Sequence, residues 1–187
     1  LGALRLIGIL ETKVGDGTYV KNTGWVMRDG EIKAQALSLL GEAGNPFEAL
    51  EARRALEPGI VRYAIERRTP EDLRDIQAAL TRILESVKKR DYDELLRADR
   101  DFHVAIGKAA HNSILEQSLV SLFNIMEHSL WKKIKEEFLK ASGRHFEETR
   151  LSHREIYETI KTRDYSRALR AVERHFDEIE RLFRSKY

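Results

Sequence analysis

Hydrophobic residues recur every three or four positions through most of the chain, and this spacing predicts amphipathic helices. The clearest stripe of apolar side chains lies between Leu73 and Val87. It follows Thr69-Pro70-Glu71-Asp72, where a capping threonine, a proline and acidic residues mark a helix start. From Asn45 onward the pattern is helical throughout. The sequence therefore predicts an all-α fold, an antiparallel helical bundle of six to seven helices joined by short turns.

Start and stop signals set the bounds of these helices. The predicted segments run from Pro46 to about Arg68, from Thr69 past Val87, from Asp91 to about Ala110, from Asn112 past Met126, from Gly143 to about Lys161, and from Asp164 to about Arg184. In the helix that Asn112 caps, we expect the buried side to comprise Ile114, Leu115, Leu119, Leu122, Ile125 and Met126.

The first 20 residues follow a different pattern. Residues 9–13 and 18–20 predict two short strands, and Gly15-Asp16-Gly17 predicts the turn between them. An isolated two-stranded hairpin is marginally stable in water. We therefore expect residues 1–20 to be the end of a larger domain, within which the chain begins. Residues 21–45 are glycine-rich around one predicted short helix and are interpreted as a linker, and residues 46–187 form the helical domain.

Composition excludes several classes of protein. The chain has 187 residues, of which 42% are hydrophobic and 34% charged, and this is too apolar for a disordered chain. No apolar run reaches the length of a membrane span and no secretory leader is present, so we expect a cytoplasmic protein without membrane contact. The absence of cysteine excludes disulfides and thiolate chemistry, so any transition-metal site must use histidine and carboxylate.

Four polar residues fall on apolar helix faces, where burial is costly without a partner. Asp99 and His103 are one turn apart on the inward stripe of one helix. His153 and His175 lie on the inward stripes of the last two helices, at similar distances from the turn that joins them. Three histidines and one aspartate converging in a bundle core would suit a divalent transition metal such as zinc. The alternative is a hydrogen-bonded polar core with no metal.

Arg53 is a second candidate for binding. It stands four residues before Glu57, so one interpretation is an intrahelical ion pair. The other is a guanidinium directed at the carboxylate of a small anion, which its bidentate geometry fits. The local sequence leaves both open.

Two sets of motifs resemble a known family. The segment from Leu4 to Val20 is similar to the end of the recognition helix and the wing of GntR-family winged-helix regulators, with Ile9 in place of the usual leucine. The later motifs resemble the FCD ligand-binding domain of the FadR subgroup, and they are Glu51-Ala52-Arg53-Arg54-Ala55-Leu56-Glu57-Pro58, Asp99-Arg100-Asp101-Phe102-His103, Ser152-His153-Arg154-Glu155-Ile156 and Ala171 to His175.

The resemblance implies roles for particular residues. In the metal-binding branch, the metal ligands fall on Asp99, His103, His153 and His175. We expect zinc as the ion, while histidine and aspartate also suit nickel, manganese or iron. An arginine of the first bundle helix, here Arg53, contacts the effector, commonly a small organic acid. Such regulators, often repressors, are homodimers that bind palindromic operator DNA. In the wing, Lys13 and Thr18 are candidate DNA phosphate contacts. Because most of the winged helix is missing from residues 1–187, we expect no specific DNA binding by this chain alone.

Two other functions remain open at this point. A metal held only for structure would make the domain a dimerisation module. A metal-dependent hydrolase is the weaker alternative, because the sequence has no nucleophile elbow and no glycine-rich phosphate loop. We expect a protein that is not an enzyme.

Overall fold

The computed structural model describes residues 10–13, 16–20, 46–127 and 143–184. Its first element is an antiparallel hairpin of strands β1 (Leu10–Lys13) and β2 (Gly17–Val20), in which Leu10 pairs with Val20. Gly17 has a φ of 140°, a conformation that side chains disfavour, so the predicted glycine turn is confirmed. The short helix predicted within residues 21–45 lies outside the described residues.

The described residues form six helices. They are α1 (Pro46–Arg67), α2 (Pro70–Lys89), α3 (Tyr92–Ala109), α4 (Ser113–Met126), α5 (Gly143–Thr162) and α6 (Tyr165–Arg184). α1 packs against α3, α4 and α6, while α2 packs against α3 and α5, and α5 packs against α6. This is the predicted antiparallel bundle, and the helix bounds agree with the sequence prediction to within a few residues.

The predicted helix starts are confirmed by their capping contacts. At the start of α2, Thr69 accepts a hydrogen bond from the backbone N–H of Asp72, and the Asp72 carboxylate accepts one from the N–H of Thr69. Asn112 caps α4 by accepting from the N–H groups of Ile114 and Leu115. These caps satisfy donors that a helix end otherwise leaves unpaired.

The tripeptide Arg-Asp-Tyr forms two of the turns in the same way. Arg90 and Arg163 both adopt left-handed conformations, with φ of 55° and 58°, and each ends a helix. The following residues, Asp91 and Asp164, accept hydrogen bonds from backbone N–H groups of the next helix. The second turn joins α5 to α6, and it places two of the candidate metal ligands opposite each other.

The core fills the space between the helices, and one prediction about it was wrong. Fully buried side chains include Phe102 on α3, Ile156 on α5 and Phe176 on α6. Ile114, expected on the buried side of α4, is instead 69% exposed. It lies in the first turn of its helix, where the neighbouring helices no longer cover it, and Phe123 is buried on the same helix. In the described part of the chain, no helix combines the length and apolarity that a membrane crossing needs.

Candidate metal centre

The four inward polar residues lie together at the centre of the bundle. Asp99 and His103 come from α3, His153 from α5 and His175 from α6. One donor atom of each lies within 4.8 Å of all the others. The three histidines are buried, and Asp99 is 9% exposed. The convergence inferred from helix spacing is therefore present in the fold.

The imidazole rings pack against one another at this centre. The centroids of His153 and His175 are 4.7 Å apart, and that of His103 is 5.4 Å from the first and 5.2 Å from the second. Phe102 contacts both His103 and His153 with its ring edge-on. The aromatic surroundings keep the cluster away from water, so its polar atoms depend on one another.

His153 has acceptors at both ring nitrogens. Its Nδ1 lies 2.8 Å from the carbonyl oxygen of Thr149, which only accepts, so Nδ1 must carry the proton. Its Nε2 lies 2.9 Å from Oδ1 of Asp99. In the neutral ring this nitrogen is also an acceptor, and two acceptors at this distance require a proton or a metal ion between them.

His103 and His175 are each held at Nδ1 and have no hydrogen-bond partner at Nε2. Nδ1 of His103 lies 2.7 Å from Oε2 of Glu57, and Nδ1 of His175 lies 3.3 Å from the hydroxyl oxygen of Ser152. That hydroxyl donates its own proton to the Thr149 carbonyl, so it can accept from the imidazole. Nε2 of both rings is buried without a hydrogen-bond partner.

The donor set therefore fits a transition metal. All three rings bind protein acceptors through Nδ1, which leaves three Nε2 atoms and the Asp99 carboxylate for one ion. Hydrogen-bonded partners of this kind orient metal-binding histidines and fix their tautomer. Neutral imidazole and carboxylate suit zinc, nickel, manganese or iron, so the residues do not select one of them.

The electrostatics of the buried groups favour the same protonation states. Burial lowers the pKa of His103, although Glu57 opposes the shift. Burial, and then the neighbouring His153 and His103, lower the pKa of His175 well below its usual range. Burial raises the pKa of Glu57, but Arg53 and His103 outweigh this and bring it to about 2. The lowered pKa values of His103 and His175 favour the uncharged imidazoles that metal binding requires.

Arg53 lies beside the cluster, and its contacts are compatible with both roles considered from the sequence, the ion pair with Glu57 and the binding of an anion. It is 1% exposed, and its Nε donates to Oε1 of Glu57 at 2.7 Å, so the intrahelical ion pair exists. The guanidinium carbon is 3.9 Å from the centroid of the Phe123 ring, and Nη1 is 3.6 Å from the sulfur of Met126. Nη2 is buried without a hydrogen-bond partner, so one donor of the arginine remains available to an anion.

Three residues of the site, Glu57, Phe123 and Met126, were not predicted as site residues from the sequence. Glu57 was considered only as the partner of Arg53, and its contact with His103 crosses from α1 to α3. Glu57 could have been found by the criterion that selected Asp99, a carboxylate on an apolar helix face. Ile60, Val61 and Ala64 follow Glu57 along the buried side of α1.

The two candidate DNA contacts lie in the hairpin, and the metal centre lies in the helical bundle. Lys13 is exposed, with its ammonium 5.5 Å from the centroid of the Tyr19 ring. Thr18 pairs with Thr12 across the hairpin, and its side chain lies outside the described residues.

Comparison with known proteins identifies the family. Residues 48–178 match the family model of the FCD domain. The chain is 26% identical over 180 residues to the HTH-type transcriptional regulator LutR of Bacillus subtilis, which covers 96% of this chain and 80% of LutR. It is 30% identical over 124 residues to the putative L-lactate dehydrogenase operon regulatory protein of Escherichia coli. That match covers 66% of this chain and 46% of the relative, so the chain spans less than half of its length.

The solved structures support the same fold. A structure described as Streptococcus agalactiae GntR has a TM-score of 0.58 and 23% identity, and covers 96% of this chain and 77% of the other. The matched family and its relatives are regulators of transcription and not enzymes. With its helical bundle and matching motifs, the chain belongs to the FCD-domain family, the ligand-sensing domains of GntR-family transcriptional regulators.

Proposed function

We propose that this domain binds one divalent transition metal and senses a small organic carboxylate at the same centre. The metal ligands in this proposal are Asp99, His103, His153 and His175. The observation that carries it is the convergence of three imidazoles and one carboxylate, with a donor atom of each within 4.8 Å of the others. Nε2 of His103 and Nε2 of His175 are buried there without a hydrogen-bond partner. A buried polar nitrogen without a partner costs about 1–3 kcal/mol, and a metal bound to Nε2 of His103 and His175 would offset this cost.

The carboxylate would bind between the metal and Arg53. When bound, the metal attracts an anionic oxygen as a Lewis acid. Nη2 of Arg53 has no hydrogen-bond partner and can donate to the same ligand. The guanidinium cannot turn away, because Glu57 holds Nε and Phe123 lies against its face. One relative is named as a putative regulator of an L-lactate dehydrogenase operon, which supports a small hydroxy acid as the ligand class to test first.

In the regulator, we propose that ligand binding changes the placement of two DNA-binding domains in a homodimer. Residues 1–20 would then end the DNA-binding domain, with Lys13 and Thr18 near the phosphates, and residues 21–45 would be the linker to the sensing domain, 46–187. A ligand shifts such an equilibrium only if it binds one arrangement better than the other. Unchanged operator affinity of a full-length dimer at saturating ligand would refute the switch, whether the regulator represses or activates.

The test of the metal centre is the metal content of three proteins. Wild type, His153→Ala and the control His111→Ala are incubated with zinc, dialysed and analysed by mass spectrometry for metals. His111 is a matched control because it is a histidine paired with a carboxylate, Asp72, on the surface. We expect about one zinc per chain in wild type and in the control, and less than half as much in His153→Ala, which has lost one of the four proposed ligands. Wild type without zinc would refute the proposal.

The complete burial of the donors favours one alternative, a metal held only for structure. His153 is fully buried and Arg53 is almost so. Titration of the zinc-loaded protein with L-lactate, acetate and citrate by calorimetry separates the two functions. Heat of binding that disappears in Arg53→Lys supports sensing, since lysine keeps the charge but not the fork. Tightly held zinc with no response to any of the three anions supports the structural role.

A further inference from the structure

Among the residues that the structure describes, Glu57 contacts both the candidate metal centre and the candidate anion site. Its Oε2 lies 2.7 Å from Nδ1 of His103, and its Oε1 lies 2.7 Å from Nε of Arg53. The side chain is almost completely buried, so water cannot replace either partner. The two oxygens of one carboxylate thus reach two different functional side chains.

The other two candidate metal-binding rings have weaker partners at Nδ1. His153 donates to a backbone carbonyl, and His175 donates to the hydroxyl of Ser152 at 3.3 Å. A carboxylate accepts a stronger, charge-assisted hydrogen bond than either of these. His103 is therefore the ring whose Nδ1 contact is charge-assisted, and that contact comes from a side chain on another helix, α1.

We infer that Glu57 is a positioning residue that builds the metal centre and the anion site as one unit. Its Oε2 holds the proton of His103 on Nδ1 and leaves Nε2 for the metal. Its Oε1 fixes the guanidinium of Arg53 so that Nη2 is the donor left for an anion. The inference rests on the proposed function, since it gives Glu57 a role toward the same metal and carboxylate.

Substitution of Glu57 by glutamine separates this role from simple packing. Glutamine has nearly the same shape but presents one acceptor and one donor. Both contacts of Glu57 are with donors, Nδ1–H and Nε–H, so the amide can satisfy only one of them. If its NH2 group faces His103, the ring must move its proton to Nε2, and Nε2–H cannot bind a metal.

The experiment measures zinc affinity and the tautomer of His103 in wild type, Glu57→Gln and a control. The control is Glu66→Gln, which breaks another Arg–Glu pair four residues apart on the same helix, where both partners are exposed. Zinc affinity is measured by competition with a chromogenic chelator. The tautomer is determined from the imidazole ¹⁵N chemical shifts of zinc-free protein at pH 8. The signals of His103 are assigned as those missing from the spectrum of His103→Gln.

We expect Glu57→Gln to weaken zinc binding 10- to 100-fold, as for other partners of metal-binding histidines, and Glu66→Gln to change it less than twofold. Zinc affinity of Glu57→Gln within threefold of wild type would overturn the inference. So would a zinc-free wild type in which His103 carries its proton on Nε2, a measurement that does not depend on any variant folding.

The tautomer also separates failure of this inference from failure of the proposed function. If wild type binds no zinc, the metal proposal is refuted. The role of Glu57 toward His103 is then decided by whether wild type has the Nδ1–H form and Glu57→Gln has lost it. A merely structural glutamate would change the unfolding midpoint and leave the tautomer and the zinc affinity unchanged.

Discussion

Replacement of Arg53 by methionine tests whether the buried ion pair with Glu57 supports the fold as well as the site. Both side chains are buried, 1% and 4% exposed, and their nearest atoms are 2.7 Å apart. Methionine keeps an apolar chain of similar length against Phe123, so the loss of packing is small. The dominant change is the loss of the charge that faces the Glu57 carboxylate.

The expected loss of unfolding free energy depends on the contacts that the Glu57 carboxylate retains in Arg53→Met. Removal of one partner of a buried ion pair costs about 3–5 kcal/mol, since the other charge remains buried without compensation. Loss of the guanidinium over the Phe123 ring, 3.9 Å from its centroid, adds up to about 2 kcal/mol. The hydrogen bond from His103 to Glu57 remains and offsets part of this. We expect Arg53→Met to lower the free energy of unfolding by about 3 kcal/mol.

The matched control is Arg62→Met on the same helix. Arg62 forms an ion pair with Glu66 at the same four-residue spacing, but the two side chains are 58% and 49% exposed. Exposed pairs of this kind contribute little to stability, so we expect Arg62→Met to change the unfolding free energy far less than Arg53→Met. Urea unfolding of zinc-free protein at pH 7.5, followed by circular dichroism, measures both variants. The difference between them isolates burial, because spacing and residue types are the same.

A double variant sharpens the test. In the double variant that combines Arg53→Met with Glu57→Met, neither charge of the buried pair remains. Replacement of both partners of a buried ion pair by apolar residues often leaves the stability unchanged. The double variant should therefore be no less stable than Arg53→Met, despite one more lost hydrogen bond. Two results would refute the reasoning: a cost below 1 kcal/mol for Arg53→Met, or a double variant as destabilised as the sum of the two single variants.

Two further predictions concern pH and the ends of the helices. The unfolding free energy of the zinc-free protein should fall as the pH drops below about 6.5, because His103 and His175 have lowered pKa values in the fold and take up protons more readily when unfolded. The slope approaches about 1.4 kcal/mol per pH unit for each histidine, and a flat profile in urea unfolding between pH 7.5 and 5.5 would contradict it. Arg163→Ala should cost about 2 kcal/mol, since the guanidinium donates to backbone carbonyls of Ile65 and Glu66 at the end of α1. Arg167→Ala, which removes an exposed ion pair with Glu155, is its control in thermal unfolding, and equal midpoints would rule out the capping role.

Much of the fold could be predicted because its signals are local. Capping residues such as Thr69 and Asn112 act within three residues of their own position, so the sequence contains the whole interaction. The inward positions of Asp99 and His103 follow from helical spacing on one element. The exposure of Ile114 could not be predicted in this way. Spacing places a residue on a face, and only the neighbouring helices determine how far along the helix that face is covered.

The contacts within the site were less accessible, because they join different helices. The sequence presented two alternatives for Arg53, an ion pair with Glu57 and an anion-binding role. The fold contains the ion pair and also leaves Nη2 of Arg53 without a hydrogen-bond partner. The choice was not exclusive, since a guanidinium has several donors and Glu57 occupies one. The hydrogen bond from His103 to Glu57 depends on how α1 and α3 pack, which no local pattern specifies.

The polar centre explains why metal binding and the packing of this bundle should be linked. Asp99, His103, His153 and His175 occupy positions on three helices where apolar side chains would pack without unsatisfied nitrogens. A metal at this centre would stabilise the folded domain by mass action and would connect α3, α5 and α6. Arg53 and Glu57 extend the same network to α1, so an anion bound there would act on a fourth helix. A change in this network can therefore alter how α1 packs against its neighbours, and α1 is the helix that follows the proposed linker.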